Sequence, residues 1–305
     1  MQYLCIGVDE SADDIIQHIN DELKKVKNKI NYSVKEVNSD NSTSIICSIG
    51  EDKPDNEKSS QAYNILMLHV SSALADFIIR RYEEKLITRI INTNYCYFNS
   101  VERREILGIS LKIIRNEDKN FLNSLFQIRR RNIIIRKLME YFENSNSLIL
   151  DGFVNFRLKD YIKDLEEIVE KAVDEFLMER EYREFIRLLK YFVEIQDPKA
   201  EIIHVIVGYD NRYILQDEKR NEITNECIRE FVNEISEGEI NYDDLLVSSL
   251  ITMAPKKIVI HSSGLFKNKE LLETIKNVFP GRVVICNGCE ACMASVSKSE
   301  DKKQL

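Results

Sequence analysis

Near the end of this chain three cysteines stand in series, Cys286-Asn-Gly-Cys289-Glu-Ala-Cys292. Thiolates separated by two residues can reach one ion, because a tight turn brings both sulfurs to the same side. Three of them supply three ligands to zinc or to an iron–sulfur cluster. The residues that follow, Met293 to Val296, hold no further thiol, so a fourth ligand must come from elsewhere. The preceding elements offer one. KKIVIH (256–261) has the composition of a buried strand, NKELLETIKNVF (268–279) that of an amphipathic helix, and RVVIC (282–286) that of a second strand after the turn at Pro280-Gly281. Such a β-α-β unit has parallel strands and a right-handed connection. The strand ends carrying His261 and Cys286 then lie side by side, about 4.8 Å apart, at the edge where open α/β sheets gather ligands. The pattern admits a Cys3His metal site of His261, Cys286, Cys289 and Cys292. Two readings compete with it. Cys286 and Cys289 could form a thiol-redox pair. A surface turn with ordinary thiols is the reading favoured from sequence, since one triplet is a weaker signal than paired C-x2-C motifs.

A second group of residues suits anions. QIRRRNIIIRK (127–137) gathers Arg129, Arg130, Arg131, Arg136 and Lys137 with no acid between them. Guanidinium forks match phosphate geometry, so nucleic-acid or anionic-membrane contact is one reading. On a helix these side chains spread around the axis, and pairing with acids of a neighbouring helix is the reading favoured here. Ser262-Ser263-Gly264 could hold an anion on its backbone N–H groups, but lacks the Walker lysine and the dinucleotide glycine spacing. His18, His69 and His204 stand alone in sequence and read as packed or surface residues. The pairs Glu166-Glu167 and Asp174-Glu175 read as a solvated helix face, because adjacent residues diverge by 100°.

Composition bounds the rest. The chain is 44% apolar and 31% charged, with only nine Gly and four Pro, which favours long helices in a globular protein. Net charge is −8. Residues 61–150 are the only basic stretch, 14 basic against 9 acidic side chains, or +5, so an anionic partner would meet the chain there. The start, MQYLCIGVDESADD, has no basic leader pattern. No apolar run approaches the ~18–20 residues of a membrane span. Seven cysteines are an odd number that suits no disulfide framework. A cytoplasmic protein is expected, with Cys5, Cys47, Cys96 and Cys227 as packed or incidental thiols.

The elements order as α+β. Strands are predicted at 2–8, 31–37 and 43–49 around a helix at 11–29, giving a β-α-β-β segment over 1–56. EDKPDNEKSS (51–60) reads as a linker. A helical middle fills 57–198, with helices at 61–92 (Ile65, Leu68, Ser72, Ala75 and Ile79 on one stripe), from Asn99-Ser100 to about 115, and at 120–143. Ser100 and Arg103 make no full capping box. From Asp151 an amphipathic block runs to Pro198. Its stripe slips phase near Met178–Tyr182, which predicts a bend or a break into two helices, the second carrying Phe185, Ile186, Leu189, Phe192 and Val193. An α/β segment over 199–292 opens with a hairpin at 201–208 and 212–217 turning at Tyr209–Asn211. Helices at about 223–235 and 242–253 follow, then the β-α-β unit. Residues 293–305 have the composition of a disordered tail.

DGFVNFRLKDY and LLKYFVEIQD, with APKKIVIH and the ending RVVICNGCEAC, resemble the YtxC-like putative sporulation proteins of endospore-forming bacteria. The resemblance covers roughly residues 60–292. It implies a cytoplasmic protein with a part in sporulation, and brings no activity, cofactor or catalytic residue with it. The sequence carries no catalytic constellation. The reading is therefore a non-enzymatic protein acting through contacts with another protein. Zinc, iron–sulfur or thiol-redox chemistry at Cys286–Cys292 is the first alternative, and nucleic-acid binding through 127–137 the second.

Overall fold

Alternation of apolar and polar residues builds the first sheet. In a computed structural model, which describes residues 2–8, 12–39, 42–50, 56–116, 121–208, 213–223, 241–266, 268–290 and 292, strand β1 (Tyr3–Val8) buries Leu4, Ile6 and Val8 on one face. It pairs antiparallel with β3 (Ser42–Ile49), which pairs antiparallel with β2 (Tyr32–Ser39). A short strand, β4 (Ser147–Ile149), joins parallel to β1 and completes the order β2-β3-β1-β4. From sequence, the turn-like NSNS (144–147) closes the preceding helix and no strand is expected after it. Three residues are too few for a period-two signal, and β4 is placed by its pairing, through Cys5 N donating to Asn146 O at 2.7 Å.

Helix α1 (Asp13–Lys24) repeats Ile15, Ile19 and Leu23 every four residues and buries all three. The same core takes in α2 (Asn56–Asn94), α3 (Ser100–Asn116), α4 (Phe121–Asn144), α5 (Leu150–Arg157) and the first part of α6 (Lys159–Ile195). The stripe expected on α2 is only partly the buried one. Leu68 is 46% exposed, while Leu66, Val70, Leu74 and Ile78 are fully buried, because α2 has neighbours on several sides and its burial is broader than one stripe. Among the described residues α2 is also the one helix long and apolar enough to cross a membrane, over Ser60–Asn94, which the sequence reading did not see. More than half of its apolar 18-residue stretch is buried in the fold, the place of a core helix.

The cap of α3 begins one residue before Ser100. Asn99 Oδ1 accepts from the backbone N–H groups of Val101 and Glu102, and Glu102 Oε2 accepts from Asn99 N at 2.8 Å. This is a reciprocal capping box on Asn99 and Glu102.

The chain divides into two compact units, Met1–Met178 and Glu179–Leu305. Helix α6 runs unbroken from Lys159 to Ile195, so the phase slip near Met178–Tyr182 is not a break. It is where the buried stripe changes owner. Leu165, Val169, Ala172 and Phe176 belong to the first core, and Ile186, Leu189 and Val193 to the second. Phe185 and Phe192, expected to face inward, are 53% and 42% exposed.

The second unit is a four-stranded sheet of order β6-β5-β7-β8. Strand β5 (Ile202–Val207) pairs antiparallel with β6 (Tyr213–Gln216) and parallel with β7 (Lys257–His261), which is parallel to β8 (Val283–Ile285). Helix α7 (Tyr242–Met253) precedes β7, and α8 (Lys269–Val278) connects β7 to β8. Asn268 caps α8 by accepting from Glu270 N and Leu271 N, and Leu271, Ile275 and Val278 seal it onto the sheet. Residues 51–55 of the expected linker, the turn at Tyr209–Asn211, the helix expected over 223–235 from residue 224 on, Cys227 and the tail 293–305 lie outside the described residues.

Candidate metal centre

Parallel pairing of β7 with β8 puts Ile260 opposite Ile285. The next residues along, His261 and Cys286, therefore emerge together at the C-terminal ends of the strands. The backbone N–H of Cys286 donates to Ile260 O at 2.9 Å and makes the last bond of the ladder. Beyond it the chain turns at Gly288, whose φ of +124° is open to glycine alone at low cost, and comes back with Cys289 and Cys292.

The structure brings His261, Cys286, Cys289 and Cys292 into one cluster, with one ligand atom of each within 4.8 Å of all the others. Cys289 Sγ stands 3.8 Å from Cys292 Sγ, and Cys292 Sγ 3.8 Å from Cys286 Sγ. His261 Nδ1 lies 3.3 Å from Cys289 Sγ and 3.5 Å from Cys292 Sγ. A tetrahedral ion bound at about 2.3 Å by sulfur and about 2.05 Å by nitrogen separates two sulfurs by about 3.8 Å and a sulfur from a nitrogen by about 3.6 Å. The four edges given match that figure to within about 0.3 Å. No disulfide joins the described cysteines.

One of the sulfurs, that of Cys292, is also prepared for negative charge. Burial opposes ionisation of Cys292, but backbone hydrogen bonds from Cys289 and Ser262, with the His261 contact, outweigh it and bring the thiol down from 9.0 to about 6. Ser262 makes its contribution from a left-handed backbone, φ 55°, which orients the loop leaving β7. Cys286 accepts from the backbone of Gly288, yet burial and the neighbouring thiols Cys289 and Cys292 push it up. Thiols set against one another in this way are what a cation of charge +2 relieves.

Two residues of the site were not found from sequence. His204 Nδ1 is 3.0 Å from His261 Nε2, and Arg220 Nη1 is 3.4 Å from the same atom. Burial, then the nearby Arg220 and His261, disfavour the charged form of His204 and lower its pKa. His204 looked isolated because only strand register relates it to His261, fifty-seven positions away.

The basic helix is placed differently. Arg129 pairs with Asp164 at 3.6 Å, Arg130 with Glu83 at 3.3 Å, and Arg131 binds Asp76 through two nitrogens at 2.6 and 3.1 Å. Arg136 pairs with Glu140 at 3.8 Å, and Lys137 lies 3.6 Å from both Glu140 and Asp160. Each of the five cations thus has a carboxylate of the chain beside it: Arg130 and Arg131 meet α2, Arg129 and Lys137 meet α6, and Arg136 pairs within α4.

The model of the YtxC-like family matches residues 68–284. The match takes in His204 and His261 and ends just before Cys286, so the three thiols fall outside it. The uncharacterized protein YtxC of Bacillus subtilis (strain 168) is 27% identical over 250 residues, spanning 80% of this chain and 85% of that protein. No solved structure matches the chain. With well over half of its length matched, the chain belongs to the YtxC-like family.

Proposed function

We propose that the C-terminal unit is a zinc-binding module in which His261, Cys286, Cys289 and Cys292 hold one structural ion. The convergence of four ligand atoms within 4.8 Å of one another, with two sulfur–sulfur and two sulfur–nitrogen distances of tetrahedral length, carries this reading. In a [4Fe–4S] cluster each cysteine binds a different iron, so its sulfurs stand outside a multi-atom body and further apart than sulfurs sharing an ion. A dithiol redox pair would leave the third cysteine and His261 without a role. Four protein ligands fill a zinc ion and leave no position for water or substrate, which favours a structural over a catalytic site. The ion would tie 286–292 back to the end of β7, where β8 has only three residues of its own. Metal analysis of anaerobically purified protein tests this. One zinc per chain, lost in Cys289→Ser, is expected; substoichiometric zinc and iron, unchanged by Cys289→Ser, would overturn it.

A part in sporulation through contacts with another protein is the role the family resemblance supports. One surface feature favours such contacts. On α6, Phe185, Leu188, Tyr191 and Ile195 are each more than half exposed, and at 100° per residue they share one face. Deleting the gene in a spore-forming host is expected to lower heat-resistant spore counts, with rescue by the wild-type chain and not by Leu188→Glu. Normal counts in the deletion strain would refute the role.

A further inference from the structure

A metal at the thiol cluster decides which nitrogen of His261 must be bare. Nδ1 is the atom that faces the sulfurs of Cys289 and Cys292. The ring can ligate there only as the tautomer with its proton on Nε2. At 1% exposure His261 has almost no solvent to take that proton's hydrogen bond, and a buried donor left unsatisfied is costly. Only two groups stand near Nε2 among the described contacts, one able to accept and one able only to donate.

His204 Nδ1, at 3.0 Å, can accept. Its position follows from the sheet. His204 pairs in register with Val259, so His261, two residues on, projects from the same face as its diagonal neighbour. Arg220 Nη1, at 3.4 Å, can only donate. It therefore favours the other tautomer, in which Nε2 is bare and Nδ1–H is turned toward sulfur.

Resting on the metal centre proposed above, we propose that His204 is the positioning residue of that centre, its Nδ1 taking the Nε2 proton of His261 so that a bare Nδ1 faces the ion. His204 itself then carries its proton on Nε2. Arg220, which can only donate, works against this arrangement. Partners of this kind, which orient a ligating histidine through its second nitrogen, change metal affinity by about 10–100-fold when removed.

The test compares the full chain with His204→Leu and His204→Asn, measuring zinc affinity by competition with a chromophoric chelator under anaerobic conditions. Leucine removes the acceptor, and asparagine returns an acceptor oxygen close to where Nδ1 stood. Zinc affinity is expected to fall about 10–100-fold in His204→Leu and to recover in His204→Asn. Long-range proton–nitrogen NMR of the zinc-loaded wild type is expected to show the His261 proton on Nε2, a readout that needs no variant to fold. Wild-type affinity in His204→Leu, equal losses in both variants with native near-ultraviolet dichroism, or a bare Nε2 in the loaded wild type would each overturn the positioning role. Failure of the wild type to take up one zinc is a separate result, which removes the metal centre itself.

Discussion

Removing the cation from the buried charge network of the first unit should destabilise that unit, and more so as pH rises. Glu83 on α2, Arg130 on α4 and Tyr161 on α6 are 9%, 4% and 0% exposed. The Tyr161 hydroxyl donates to Glu83 Oε1 at 3.0 Å, and Arg130 Nη1 stands 3.3 Å from the same oxygen. Burial raises the Glu83 carboxyl above its usual range, while Arg130 and Tyr161 pull it back. Arg130→Met keeps the apolar stem and deletes the charge. A carboxylate left buried without its cation costs about 3–5 kcal/mol. Because Arg130 restrains the upward shift, its loss lifts the folded-state value further above the unfolded one. A group raised in the folded state contributes stability that is present at low pH and lost as pH rises through the folded value. The deficit of Arg130→Met should thus be full near about pH 8 and smaller near about pH 5, where the carboxyl can protonate. For a unit of this size about 3–5 kcal/mol corresponds to a fall in Tm of roughly 6–20 °C. Urea titrations followed by far-ultraviolet dichroism at both pH values measure it, and adding Glu83→Gln should recover part of the loss. A deficit below about 1 kcal/mol near pH 8, or an equal deficit at both pH values, would refute the reasoning.

Asn99→Ala removes the acceptor that caps α3 and strands Glu102 of the reciprocal box, so a loss of about 1 kcal/mol is expected in chemical denaturation; no change would mean the cap is redundant. Gly281→Ala meets no atom within 4 Å, so its cost comes only from a φ of +73°. About 1 kcal/mol is expected for a side chain held there, and a neutral outcome would show that the turn into β8 relaxes.

Much of the fold could be read from local pattern. The four-residue repeat of Ile15, Ile19 and Leu23 and the alternation of Leu4, Ile6 and Val8 each report a face that is buried. The sequence was less informative where burial is not one-sided. On α2 the several neighbours erase a single stripe, and Leu68 was placed on the wrong side. On α6 a phase slip that suggests a break instead marks a continuous helix passing from one core to the other. The candidate site divides in the same way. Cys286, Cys289 and Cys292 are close in sequence, and His261 follows from the parallel pairing of two strands. His204 and Arg220 depend on β5 being the other neighbour of β7, a choice of strand order that no local spacing encodes.

X-ray absorption at the zinc edge, on protein purified without added metal, tests the account most directly. The four-ligand cluster predicts one zinc per chain in a shell of three sulfurs at about 2.3 Å and one nitrogen at about 2.0–2.1 Å. A shell made mostly of nitrogen and oxygen, or protein that carries no zinc while its thiols remain reduced, would contradict it.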